Sequence, residues 1–272
     1  MTRILRQPAV AGRFYPRDPA ELATMIKSFV DADSARIESV GVMVPHAGYV
    51  YSGHVAGATY SRIRIPLRTI ILCPNHTGYG RPLSIMRSGS WQTPLGTIQI
   101  DTELCDELMA ADPQLESDSE AHRFEHAIEV QLPFLQALQT HGPVRFVPIA
   151  IGLTDWNELE RLGQAIGKTI QRIDPSILII ASSDMNHYES DAVTRRKDAL
   201  AIDPLLKLDA RGLHETVRQN RISMCGVGPA TAMIHAAGIL KAKRAELVKY
   251  ATSAEVSRDF ARVVGYAGVI VT

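Results

Sequence analysis

Cysteine is scarce in this chain. Its 272 residues include three, Cys73, Cys105 and Cys225, in no framework spacing. An odd, sparse set excludes a disulfide scaffold and fits a reducing compartment. Net charge is missing too, because 29 Lys and Arg balance 29 Asp and Glu. Nucleic-acid binding calls for a basic patch or stripe. The densest basic runs, Arg195-Arg-Lys197 and Lys241-Ala-Lys-Arg244, read instead as solvated helix faces. No apolar run reaches the length of a membrane span. The opening Met1-Thr-Arg-Ile-Leu-Arg-Gln-Pro8 lacks the apolar stretch of a signal peptide. The expectation is a cytoplasmic protein with no nucleic-acid and no membrane partner.

Signature motifs are also absent. There is no Gly-x-Gly-x-x-Gly after a strand and no P-loop, which removes the dinucleotide and nucleoside triphosphate signatures. Neither His-Glu-x-x-His nor Cys-x-x-Cys occurs. Without Gly-x-Ser-x-Gly, the nucleophile-elbow hydrolases lose their signature. What is present is an ordinary globular composition, 46% hydrophobic and 21% charged, on a chain long enough to bury a sizeable core.

Three apolar runs carry the chemistry. Val40-Gly-Val-Met-Val-Pro-His46, Thr69-Ile-Ile-Leu-Cys-Pro-Asn-His76 and Ser176-Ile-Leu-Ile-Ile-Ala-Ser-Ser-Asp184-Met-Asn-His187 each end on an imidazole or a carboxylate. Short β-branched runs bounded by Pro, Gly and Asn read as buried parallel strands. Ligands of open α/β sheets sit at the carboxyl ends of the strands. His46, His76, Asp184 and His187 are therefore expected to converge.

Strands are expected at 40–45, 69–74, 144–151, 176–182, 245–252 and 263–271, with a hairpin-like excursion at 83–100. Helices are expected from Asp18-Pro19 to about 30, then at 53–62 behind Ser52 as cap, 102–111, 125–139, 155–171, 191–207, 209–218 and 229–239. Pro8 to Pro16 reads as an extended arm. Strands alternating with helices imply a single α/β domain over residues 1–272. It is a sandwich with a central, mostly parallel, mixed sheet flanked by helices.

Each candidate has a role that its chemistry permits. Neutral imidazole is the commonest metal ligand, so His46 and His76 are metal candidates. Cys225 precedes a helix in a Gly-rich loop, where a thiolate is favoured, and is either the third ligand or buried filler. Asp184 can orient a metal-bound histidine, and His187 can act in acid–base catalysis. The pair can equally cap the helix that follows. His126 and Glu129, three apart on an expected helix face, can reach a shared pocket or form a surface pair. Tyr49 and Tyr51 are pocket walls or packing. His54, His122, His141, His214 and His235 read as structural or surface.

Five segments together are distinctive: Gln7-Pro-Ala-Val-Ala-Gly-Arg-Phe-Tyr-Pro16, Pro45-His-Ala-Gly-Tyr-Val-Tyr-Ser-Gly53, Glu125-His-Ala-Ile-Glu-Val-Gln-Leu-Pro-Phe134, Ser182-Ser-Asp-Met-Asn-His187 and Met224-Cys-Gly226. In this order the chain resembles the Memo family, which is similar in structure to class III extradiol dioxygenases. The resemblance implies a single α/β domain with metal bound by His46, His76 and Cys225, and Asp184 and His187 lining the pocket. His187 matches the dioxygenases' acid–base histidine. It implies Fe(II) as cofactor, with Cu or Zn as alternatives. It also implies a small-molecule or peptide partner, with AMMECR-like and radical-SAM proteins as further partners. Cys225 stands where the dioxygenases carry a carboxylate, and a thiolate favours softer metals. The readings are a non-haem, dioxygenase-like oxidoreductase, a non-catalytic metal- or peptide-binding module, and a zinc-dependent hydrolase.

Overall fold

The computed structural model describes residues 4–272, so Met1 to Arg3 of the opening stretch lie outside the described residues. Four parallel strands form the middle of one mixed sheet. They lie side by side in the order Arg145–Ile151, Arg68–Pro74, Leu178–Ser182 and Gly41–Val44. Nearly every residue in them is buried, as expected of strands covered on both faces. Val263–Val271 joins the far side antiparallel and pairs in turn with Ala245–Thr252. On the other side Gly96–Ile100 extends the sheet, followed by Ser90–Thr93 and the short Leu5–Arg6 strand.

Two groups of helices flank the sheet. In one, Trp156–Ile173 packs on Val227–Ile239. Gly163 makes their close approach possible, since a Cβ there would lie 2.7 Å from the Ala232 carbonyl oxygen. In the other, Pro19–Phe29, Tyr49–Ser61 and Leu132–Leu138 pack together. Asp18 caps the first of these through the amides of Ala20 and Glu21. Among the described residues no helix is long and apolar enough to cross a membrane.

Three expectations need correction where they bear on the site. The helix expected at 53–62 begins at Tyr49, directly after His46-Ala-Gly48, because the Phe14 carbonyl accepts the Tyr49 amide at 2.7 Å. The helix expected at 125–139 is a loop through Ile128, a 3₁₀ turn at Glu129–Gln131, then Leu132–Leu138. Glu125 turns its carboxylate onto the amides of His126 and Ala127, which competes with helical pairing. Pro133, which lacks an N–H, suits only the first turn of the helix that follows. The arm from Pro8 to Pro16 is not simply extended. It turns at Gly12, whose φ of 83° favours glycine, and Ala11 pairs with Tyr15.

Candidate metal centre

His46 lies two residues past the Gly41–Val44 strand, His76 two past Arg68–Pro74, and Asp184 two past Leu178–Ser182. Those strands are parallel neighbours, so their carboxyl ends deliver all three residues to one place. His187 opens the short His187–Glu189 strand, paired opposite Val264. Cys225 sits just ahead of the Val227–Ile239 helix. Gly226 permits this turn, since a Cβ there would lie 2.3 Å from the Ser183 Cβ. These residues line a cavity of about 570 Å³ together with His126, Phe14 and Tyr188.

Three histidines form the tightest group. Ligand nitrogens of His46, His76 and His126 all lie within 4.8 Å of one another. The His76 and His126 rings stack at 4.9 Å, and His46 stands edge-on to both. Cys225 lies outside this group, but its Sγ is 3.2 Å from His46 Nε2.

Counting protons identifies the free nitrogens. The single Ser182 hydroxyl proton goes to the Ala127 carbonyl at 2.7 Å. Its oxygen therefore accepts from Gln131 Nε2 at 2.9 Å and from His46 Nδ1 at 3.0 Å. His46 is thus protonated on Nδ1, and its Nε2 keeps a lone pair. The Glu125 carboxylate can only accept, so His76 Nδ1, 3.0 Å away, donates to it, and in the neutral ring Nε2 carries the lone pair. Metal-bound histidines need this kind of support, with the second ring nitrogen held by an acceptor. Two such histidines and a third imidazole within reach fit a transition-metal ion with nitrogen donors.

The electrostatics favour the uncharged form of His46 and His126 and the charged form of His76. Burial, helped by the neighbouring His76, lowers His46 to about 3. Burial, helped by His46, lowers His126 to about 4. Burial would raise Glu125, but the hydrogen bond and charge of His76 outweigh it and hold the carboxyl at about 2. His76 is the converse: burial lowers it, and the bond to Glu125 more than compensates, so it titrates above its usual value. Burial and the nearby Asp184 push the Cys225 thiol well up.

The other candidates take more varied places. Asp184 orients no histidine ring. Its Oδ1 accepts the amides of His46 at 2.8 Å and Ala47 at 3.3 Å, while burial raises its pKa. His187 is held through Nδ1 against the Ser223 carbonyl at 2.8 Å, and its amide donates to the Ser223 hydroxyl at 2.7 Å. A carbonyl only accepts, so His187 Nδ1 is the donor, and in the neutral ring Nε2 carries the lone pair. His126 lines the cavity and also stands in the three-histidine group. Tyr49, Tyr51 and Glu129 do not line the cavity. Tyr49 is buried and donates to the Val130 carbonyl, Tyr51 is exposed, and Glu129 pairs with Arg6. Glu125, Ser182, Ser223 and Phe14 went unassigned in the sequence. A carboxylate beside a histidine at Glu125-His126 and a polar residue closing the apolar Leu178–Ser182 strand were the available signals.

Residues 6–270 match the family model described as Memo-like protein. A MEMO1 family protein of Methanosarcina barkeri is 41% identical, over 98% of this chain and all of its own length. One from Methanopyrus kandleri is 40% identical over 97% of this chain and 98% of its own. A bacterial relative, from Aquifex aeolicus, is 37% identical over 98% of both.

Proposed function

As this chain belongs to the Memo family, we propose that its three-histidine cavity is a metal-dependent active site for oxygen chemistry on a small, uncharged molecule. The observation that carries this reading is the grouping of His46, His76 and His126 within 4.8 Å, with Nδ1 of His46 on Ser182 and Nδ1 of His76 on Glu125. Fe(II) is the metal we assign. His46, His76 and His126 would hold it, and the Cys225 thiol beside His46 is positioned to join them. When bound, Fe(II) would supply electrons to dioxygen and open positions for substrate oxygen atoms.

The chain's own residues do the remaining work. His187, fixed through Nδ1, offers Nε2 as acceptor for the proton of a substrate hydroxyl. Phe14 and Tyr188 form walls that a flat ring can lie against. No lysine or arginine is among the lining residues, which disfavours phosphates and carboxylates and favours neutral substrates. Asp184 fixes the His46–Ala47 backbone and keeps His46 in register with the sheet end.

A second reading has its own support. Three histidines are also the donor set of a catalytic zinc, whose fourth position holds water. Metal analysis of protein purified without oxygen separates the two. Near-stoichiometric iron, lost in His46→Ala and His76→Ala, together with O₂-dependent turnover of phenols supports our reading. Zinc with O₂-independent ester or amide hydrolysis overturns it in favour of a hydrolase. Failure to bind iron, zinc or copper after reconstitution leaves the non-catalytic module as the function.

A further inference from the structure

We propose that the Leu5–Arg6 strand and the arm that follows it, Pro8 to Pro16, form a strap that sets the position of His126, with Arg6 as its positioning residue. This inference rests on His126 belonging to the metal group.

The need for a strap comes from the local structure. Glu125 and His126 lie between a four-residue helix, Glu120–Arg123, and the 3₁₀ turn at Glu129–Gln131. Among the described residues the loop that carries them is held on its C-terminal side, where the Val130 amide donates to the His126 carbonyl and Ser182 to that of Ala127, while its N-terminal side has no such backbone bonds. A ligand has to be held within about half an ångström of its productive place. Something outside the loop must therefore supply the constraint.

Arg6 supplies it. Its guanidinium donates from Nε to the His122 carbonyl at 2.7 Å and from Nη2 to the Glu125 carbonyl at 2.7 Å. Nη1 pairs with the Glu129 carboxylate at 2.6 Å. One rigid fork thus grips the loop at its start, its middle and its end. Trp91, 4.0 Å from the guanidinium carbon, backs the fork. Glu129 is fully buried and binds the arm in return. It accepts from the Ala9 amide at 2.8 Å, the Val10 amide at 3.0 Å and the Tyr15 hydroxyl at 2.7 Å. The arm then carries Phe14 onto the His126 ring, 4.7 Å between centroids. Arg6, Glu129 and Tyr15 do not line the cavity, yet they fix two sides of His126. A buried ion pair is weak evidence for stability alone, whereas fixing one conformation is a role such pairs can serve.

The test is Arg6→Lys in the full chain. Lysine keeps the charge beside Glu129 but cannot reproduce the three-pronged fork. We expect native-like melting, Co(II) and Zn(II) binding weakened 10- to 100-fold, and a Co(II) visible spectrum like that of His126→Ala. In the His126→Ala background, Arg6→Lys should weaken binding no further. Amide exchange in the metal-free protein should quicken across 122–128 but not in Leu178–Ser182. Unchanged affinity, or an equal loss with and without His126, overturns the strap. Should Arg6→Lys fail to fold, Tyr15→Phe removes a single bond to Glu129 and should give a smaller loss that again vanishes without His126. Should the native chain bind neither metal, the metal reading fails, and exchange at 122–128 alone decides whether the strap exists.

Discussion

Ser182 accepts the Nδ1 proton of His46, because its own proton is committed to the Ala127 carbonyl. One hydroxyl at the end of a sheet strand therefore determines which nitrogen of His46 faces the cavity. Val44 and Ser182 are register partners in adjacent parallel strands, so the sheet itself aligns the two. Ser182→Ala should leave the fold intact and release the imidazole to rotate and change tautomer. Metal affinity should fall 10- to 100-fold, the usual effect of losing such support. Competition titration against a chromophoric chelator measures it, and affinity equal to the native chain would show that Ser182 does not matter.

Glu125 should matter more than Ser182, because it brings charge as well as an acceptor. Its carboxyl is held at about 2, so it stays ionised across the range in which proteins work. Glu125→Gln keeps the shape and one acceptor oxygen but removes the charge that raises His76. The loss of metal affinity should exceed that of Ser182→Ala in the same titration. A smaller loss would mean that the charge on Glu125 adds nothing to ligand strength.

His187→Ala separates binding from chemistry. His187 is anchored to Ser223 and is not one of the three grouped histidines. The variant should keep its metal content and lose about 10²- to 10⁴-fold in turnover, the usual share of a general acid–base. Metal content by elemental analysis and rate under air, read together, check this. A normal rate would remove His187 from the mechanism.

Much of the fold could be read from apolar runs. The strands ending at Val44, Pro74 and Ser182 are continuous buried stretches closed by polar residues, and that pattern alone predicts where His46, His76 and Asp184 meet. The Glu125–Gln131 segment could not be read this way. Its apolar spacing, with Ala127, Ile128 and Val130 buried, mimics a helix face. Glu125 instead bonds to the amides that a helix would use. The partners of Glu129 lie far away in sequence, at residues 6 to 15, beyond the reach of any local pattern. Distance in sequence likewise separated His126, on this loop, from His46 and His76, which follow strands of the sheet.

His122 gives the chain a measurable sensitivity to acid. It is buried, packed edge-on to Trp91, and among the described residues neither ring nitrogen has a hydrogen-bond partner. Burial, reinforced by the Arg6 charge, lowers it from 6.5 to about 4. Between those values the unfolded chain takes up a proton that the folded chain refuses. Stability owed to this neutral histidine is therefore complete above pH 6.5 and is lost as pH falls towards 4, at up to about 1.4 kcal/mol per pH unit. His122→Leu removes that one titration and leaves every other group in place. Urea unfolding of both proteins from pH 7.5 to 4 should show the variant gaining on the native chain as pH falls, with the gap opening below 6.5. Parallel curves would mean that His122 is protonated inside the fold and that its surroundings accommodate the charge.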